Sequence, residues 1–82
     1  MINLKSEINN YLINCTSQKN LSSHTLKAYR IDLTQFLLFK ENMSLSKSNL
    51  TEYIQELHTK YKPKTVKRKI ASLKAFVHYL YF

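Results

Sequence analysis

The sequence predicts an all-α domain, and three observations lead to that prediction. The 82 residues include no glycine and a single proline, so the residues that form the tight turns of a small all-β protein are missing. Hydrophobic residues make up 44% of the chain, which is enough for one packed core and argues against disorder. In four separate segments the apolar residues recur at steps of three and four, the period of an amphipathic helix.

The first predicted helix runs from about Asn3 to Thr16. Its apolar face consists of Leu4, Ile8, Tyr11, Leu12 and Cys15. The polar stretch TSQKNLSS ends this pattern. Ser22 then suits the N-cap of a second helix, because its hydroxyl can accept a hydrogen bond from a free backbone N–H of the first turn.

The second predicted helix is the longest and most apolar, and it extends to about Glu41. Its inner face consists of Leu26, Tyr29, Leu33, Phe36 and Leu37. Because Ile31 and Leu38 lie on its other side, we expect this helix to be central or to make a second contact. We interpret Asp32 as a surface or inter-helix hydrogen-bonding group and not as a general base.

The third predicted helix starts at the cap Ser46 and runs to about Lys60, with Leu50, Tyr53, Ile54 and Leu57 inside. Pro63 ends one helix and suits the first turn of the next, where its missing N–H costs nothing. The fourth helix is predicted from about Lys64 to Tyr81. Its predicted core line is Val66, Ile70, Leu73, Val77 and Leu80.

Positive charge is concentrated towards the end of the chain. The net charge is +8, and the fifteen residues KYKPKTVKRKIASLK contain seven basic residues and no acidic one. On the fourth helix the outer side carries Lys64, Arg68, Ala71 and Ala75, with Lys67 and Lys74 on one shoulder and Ser72 on the other. A solvated helix face normally mixes signs, because Glu–Lys pairs stabilise it. Unmixed cations at a helix start instead favour an anionic partner, and nucleic acid is the first candidate.

The second helix opens in a similar way. SSHTLKAYR places Ser23, His24 and Thr25 at its start, with Lys27 and Arg30 just beyond. Hydroxyl and backbone N–H groups at two helix starts could meet phosphates, and small residues of the fourth helix would let it approach a groove. An arginine there, Arg68, has the planar fork that pairs with guanine.

Three stretches resemble the N-terminal core-binding domain of the tyrosine recombinases, the phage-integrase family. They are LSSHTLKAYRIDLTQFLLF, LSKSNLTEYIQEL and PKTVKRKIASLKAFVHYL, in the family's order and spacing. The resemblance implies a four-helix SAM-like orthogonal bundle that forms half of a clamp around double-stranded DNA, with other recombinase protomers as partners. Ile31 departs from the pattern, because the family often has a basic residue there.

The resemblance also implies which residues contact DNA from the second and fourth helices. Together with the reading of the helix faces, it gives the candidate set Thr25, Lys27, Arg30, Lys64, Thr65, Lys67, Arg68 and Ser72. The family cleaves DNA with a Tyr, two Arg, a Lys and His residues of a C-terminal domain. We therefore expect residues 1–82 to be a single, non-catalytic and monomeric domain of a longer recombinase.

Several other functions are not supported by the sequence. Cys15 is the only cysteine, which excludes an internal disulfide and fits a cytoplasmic protein. The three histidines are scattered along the chain, so we expect no metal site. Because the chain has no glycine, it has no glycine-rich phosphate loop, and we expect no cofactor. No apolar stretch approaches the length of a membrane span. A basic helical module for protein interaction or for a membrane surface remains the alternative.

Overall fold

Four α-helices account for most of the structure. The computed structural model describes residues 3–17, 21–40 and 43–81. The helices are α1 (Leu4–Ser17), α2 (Ser23–Leu37), α3 (Lys47–Lys60) and α4 (Pro63–Tyr81). The all-α prediction is confirmed, and every predicted helix start agrees with the observed one to within about one residue.

Two serines cap helices as the sequence predicts. Ser22 and Ser46 have extended backbones, with φ −63° and ψ 154° at the first and φ −136° and ψ 157° at the second. Each hydroxyl oxygen accepts a hydrogen bond from the N–H three residues on, at 3.2 Å from Thr25 and 3.1 Å from Asn49. Pro63 is the first residue of α4, a position where no intrahelical N–H bond is lost.

The end of α2 differs from the prediction. The helix ends at Leu37, whereas the predicted end, Glu41, lies outside the described residues. The N–H of Phe39 donates to the carbonyl of Phe36 at 3.2 Å, and the chain turns. Both phenyl rings then pack edge-on against Tyr53 of α3, each with 5.2 Å between ring centroids. We attribute the early end of α2 to this aromatic contact with α3.

The central helix is α4, because it packs against all three of the others. The alternative expectation for α2, a second contact, is met, since α2 packs against both α1 and α4. The residues expected to make that contact do not make it. Ile31 is 45% exposed and Leu38 is 74% exposed. The face that carries Asp32 meets α4 instead.

Aromatic side chains hold α1, α2 and α4 together. The fully buried ring of Tyr11 lies 6.2 Å from that of Tyr29, 5.5 Å from Phe76 and 5.0 Å from Tyr79, measured between centroids. Such offset and tilted pairs add to the stabilisation that burial itself provides. One turn further along α1, Cys15 is fully buried, as its place on the apolar face predicted.

The buried face of α4 differs from the predicted face by a rotation of the helix about its axis. The fully buried residues of this helix are Val66, Lys69, Ser72, Leu73 and Phe76. Of the predicted core line, Ile70, Val77 and Leu80 are only partly buried. The physical reason is a set of polar contacts to α2, which draws Lys69 and Ser72 inward.

A buried carboxylate joins α2 to α4. Asp32 is 1% exposed, and its Oδ1 accepts a hydrogen bond from Lys69 Nζ at 3.0 Å. Its Oδ2 accepts from Arg68 Nη1 at 2.9 Å and from the Ser72 hydroxyl at 2.8 Å. The Lys69 ammonium also donates to Gln35. We call these five residues the Asp32 cluster, and they confirm the inter-helix hydrogen bonding expected of Asp32.

The Asp32 cluster satisfies its buried charges and retains one positive charge in excess. A buried ion is costly unless it is paired and hydrogen-bonded. The side chain of Lys69 is 4% exposed, and its ammonium lies 5.1 Å from the ring centroid of Tyr61. Lys69 therefore neutralises Asp32 in the interior. The second cation, Arg68, has a side chain that is 49% exposed, so the excess charge reaches the surface.

We predict that Asp32→Ala lowers the free energy of unfolding by about 3–5 kcal/mol, because it leaves the Lys69 ammonium buried without a counter-ion. That is a large part of the roughly 4–12 kcal/mol expected for a domain of this size. Urea denaturation measures the loss. Ser72→Ala is the matched control and should cost only about 1–2 kcal/mol, since the carboxylate keeps both cations. A loss below about 1 kcal/mol for Asp32→Ala would contradict this account.

We also predict that stability falls in alkali. Burial, with smaller contributions from Tyr61 and Asp32, raises the pKa of Tyr53 from 10.0 to about 12. The unfolded state therefore loses this proton first. The contribution of Tyr53 to the free energy of unfolding is fully present below about pH 10. It falls by about 2 kcal/mol as the pH rises towards 12. Urea midpoints measured across this range should fall less steeply for Tyr53→Phe, and an unchanged slope would contradict the assignment. Burial also raises the pKa of Tyr11, which accounts for a remaining slope.

Candidate nucleic-acid interface

The outer side of α4 presents a row of cations. We call its exposed basic residues, Lys64, Lys67, Arg68 and Lys74, the cationic stripe. Their spacing places them along one side of the helix over three turns. The exposed Ala71 lies between them, so only a methyl group projects from the middle of the stripe.

Within the described part of the chain, Asp32 is the acidic residue that pairs with the cationic stripe. Among the described residues, Lys64, Lys67 and Lys74 form no ion pair. The ion pairs outside the Asp32 cluster use Glu52 and Glu56, both of α3. The carboxylate that meets the stripe, that of Asp32, is buried beneath it. Like charges along one side of a helix are unfavourable until a polyanion neutralises them.

The start of α4 adds hydrogen-bond donors to these charges. Lys62 occupies the capping position, and its carbonyl accepts the N–H of Val66 at 3.0 Å. A lysine side chain cannot accept a hydrogen bond, and Pro63 has no N–H to donate. The N–H groups of Lys64 and Thr65 have no partner within the helix because they belong to its first turn. Backbone donors, the helix dipole and lysine ammonium groups are therefore grouped where an anion would bind favourably.

Arg68 connects the cationic stripe to the interior. One of its terminal nitrogens, Nη1, donates a hydrogen bond to Asp32 Oδ2 at 2.9 Å. A guanidinium has five N–H donors, so most of them remain for another acceptor. The edge that carries Nε and Nη2 is not used by this ion pair. That edge has the geometry for two parallel bonds to a phosphate or to guanine.

Two predicted site residues lie away from this surface. Ser72 was expected on an exposed shoulder, but it is 3% exposed and its hydroxyl donates to Asp32. We correct that expectation, because the hydroxyl is needed inside to satisfy the carboxylate. Arg30 is exposed but lines a groove between α1 and α2, together with Lys5 and Ile13. It therefore faces α1 and not α4.

The other predicted residues of α2 are accessible to different degrees. Lys27 is exposed, whereas Thr25 is partly buried. The Thr25 hydroxyl oxygen accepts a hydrogen bond from the Ser22 hydroxyl at 3.0 Å, and its own proton remains available for donation. The helices meet at Asp32 on α2 and between Arg68 and Ser72 on α4. These polar contacts join the middle of α2 to the first half of α4.

The sequence reasoning missed Lys69 and underrated Asp32. Lys69 was predicted neither on the core line nor on the outer side of the fourth helix, yet it is buried. Two signals could have revealed the pair. Asp32 is the only acidic residue between Ser23 and Leu37. Lys69 also lies on a second line of residues at steps of three and four, with Val66, Leu73 and Phe76. This line is the buried face of α4 in the structure.

The described residues can be compared with what a metal site and a membrane span require. There, His, Cys, Asp and Glu side chains form no group of three that could hold a metal ion. None of the helices α1 to α4 is long and apolar enough to cross a membrane.

Comparison with known proteins identifies the family of this chain. The family model described as phage integrase, N-terminal SAM-like domain, matches residues 8–82. A protein named tyrosine recombinase from Agathobacter rectalis is 49% identical over 83 residues, which cover 98% of this chain and 27% of that protein. Tyrosine recombinase XerC of Thermodesulfovibrio yellowstonii is 39% identical over 84 residues, which cover 99% and 28%.

A third relative, named tyrosine recombinase XerD-like, comes from Streptococcus uberis. It is 41% identical over 66 residues, which cover 79% of this chain and 26% of the relative. The chain thus spans about a quarter of the length of these curated relatives. No solved structure gives a significant match. The chain belongs to the phage-integrase family of tyrosine recombinases and corresponds to its N-terminal SAM-like domain.

Proposed function

We propose that this chain is a double-stranded DNA-binding domain of a site-specific tyrosine recombinase, which clamps the recombination site through α2 and α4. The observation that carries the proposal is the cationic stripe. It is exposed, and the carboxylate that it contacts is buried beneath it. Neutralising phosphates with these cations releases condensed counter-ions from the duplex, which provides affinity at moderate salt.

The candidate residues divide into anchoring and reading roles. Lys64 and Lys67 are point charges on flexible stems, suited to phosphates, and Thr65 adds a backbone N–H. Lys27 extends the phosphate contacts onto α2. Arg68 is the candidate for reading a base, because its fork is partly fixed and partly free.

The remaining activities of the recombinase are proposed to lie outside this chain. Because the chain spans about a quarter of its relatives, strand cleavage is assigned to residues elsewhere in a longer protein. Within that protein, other protomers would assemble on the same DNA. For the isolated domain we propose a monomer, which light scattering at low salt would test.

We predict that duplex binding weakens linearly with salt on logarithmic axes. For four to six phosphate contacts the slope should be roughly −3 to −6. Fluorescence anisotropy with a labelled duplex of about 30 base pairs, at salt concentrations from about 50 to 200 mM, measures it. An absence of duplex binding at the lowest salt would overturn the proposal and favour an acidic protein or membrane partner.

We predict that Lys64→Ala and Arg68→Ala differ in kind. Lys64→Ala should weaken binding to preferred and random duplexes alike and should reduce the salt slope by about one. Arg68→Ala should weaken binding to the preferred duplex more, by about 1–3 kcal/mol, because a bidentate base contact is lost. Anisotropy titrations of both duplexes provide the comparison.

The control for this pair of variants is Lys47→Ala, which removes the same charge from the exposed start of α3. It should change both affinities by less than about twofold, as expected of a charge that contacts no phosphate. Identical behaviour of Lys64→Ala and Arg68→Ala would contradict the division of roles.

A further inference from the structure

We propose that Asp32 is a positioning residue for DNA recognition, because it holds the guanidinium of Arg68 in the orientation that reads a base. This inference rests on the proposed DNA-binding function. It assigns a role in specificity to a buried acidic residue that cannot itself contact DNA.

The geometry of the ion pair favours positioning over simple neutralisation. Arg68 Nη1 is 2.9 Å from Asp32 Oδ2, and the Arg68 side chain is still 49% exposed. One terminal nitrogen is therefore held by the carboxylate, while the edge that carries Nε and Nη2 is not used by this ion pair. A side chain that is ordered before binding loses less conformational freedom on binding. The bidentate edge is thereby prepared for an acceptor.

The distribution of charge in the Asp32 cluster supports the same role. Lys69 is buried and lies 3.0 Å from Oδ1, so Asp32 already has a counter-ion in the interior. Arg68 is not required to neutralise the carboxylate and remains a net positive charge at the surface. A duplex phosphate or base can therefore bind Arg68 without leaving Asp32 unpaired.

The rest of the cluster fixes the carboxylate itself. Ser72 donates to Oδ2 at 2.8 Å, and Lys69 is held in turn by Gln35. Both oxygens of Asp32 are thus constrained from α4, while the residue belongs to α2. The position of the Arg68 fork is consequently tied to the packing of the two helices that the proposed function places on DNA.

The test must remove the Asp32 charge without leaving Lys69 unpaired inside. The double variant Asp32→Asn/Lys69→Met does this and preserves the net charge of +8, because it removes one charge of each sign. The matched control Lys69→Met keeps Asp32 and its bond to Arg68. Arg68→Ala is also made in the unmodified chain, where Lys69 still neutralises Asp32, and in the double variant, which completes a double-mutant cycle between the Asp32–Lys69 pair and Arg68.

The probes are two duplexes of equal length and composition. One is the duplex that the unmodified chain recovers from a randomised pool, and the other is its shuffled sequence. Relative to Lys69→Met, the double variant should lose about five- to tenfold of the discrimination between them while its affinity for the shuffled duplex changes less than about twofold. With Arg68→Ala present, the Asp32 substitution should have no further effect on discrimination.

A second measurement does not need DNA. The Nε–H signal of Arg68 in the NMR spectrum of the free protein should report a restricted side chain in the unmodified chain and in Lys69→Met. It should report a mobile one in the double variant. Should the double variant fail to fold, a mobile Arg68 in the unmodified chain would still overturn the inference.

The possible outcomes separate this inference from the proposed function. An equal loss of affinity for both duplexes, or an Asp32 effect that persists without Arg68, overturns the positioning role and leaves DNA binding intact. Equal affinity of the unmodified chain for both duplexes also overturns it, because there is then no base reading to position. Absence of binding to either duplex overturns the proposed function and the positioning role together.

Discussion

The structure depends on the neutralisation of one carboxylate in its interior. Asp32 enters the core from α2 and is satisfied entirely by groups of α4: two cations and a hydroxyl. Hydrogen bonds and ion pairs are directional, unlike apolar contacts, so they select one rotation of α4 about its axis. That rotation determines which residues of α4 are turned inward and which basic residues remain in the solvent.

The aromatic core provides stabilisation of a different kind. Tyr11 brings α1 against Tyr29 of α2 and Phe76 of α4, and Phe36 brings α2 against α3. These contacts bury much apolar surface, but they are less directional than hydrogen bonds, so the rings can shift slightly against one another at little cost. We infer that the aromatic contacts hold the four helices together and that the Asp32 cluster sets their orientation.

The helices themselves could be predicted from local signals, because serine caps, a proline and apolar periodicity act within a few residues. The failures concern interactions between distant residues. Lys69 and Ser72 look like surface residues on a basic helix until a carboxylate thirty-seven and forty positions away is placed beside them. Phe76 was passed over because a neighbouring line through Ile70 and Val77 fits the helical period equally well.

The candidate interface shows the same limit. The basic side of α4 could be predicted from the sequence, because no acidic residue follows Glu56. The sequence did not predict that Arg30 lies towards α1, because this depends on which side of α2 the other helices cover.

The unmixed charge of the cationic stripe has a consequence for how copies of this domain would meet. Two free molecules that approach through this side repel each other at distances shorter than the screening length of the solvent. A duplex between them cancels the repulsion and attracts both. If the domain binds DNA as proposed, nucleic acid therefore also allows copies of the domain to come close together. The same basic side chains that favour assembly on DNA oppose assembly in its absence.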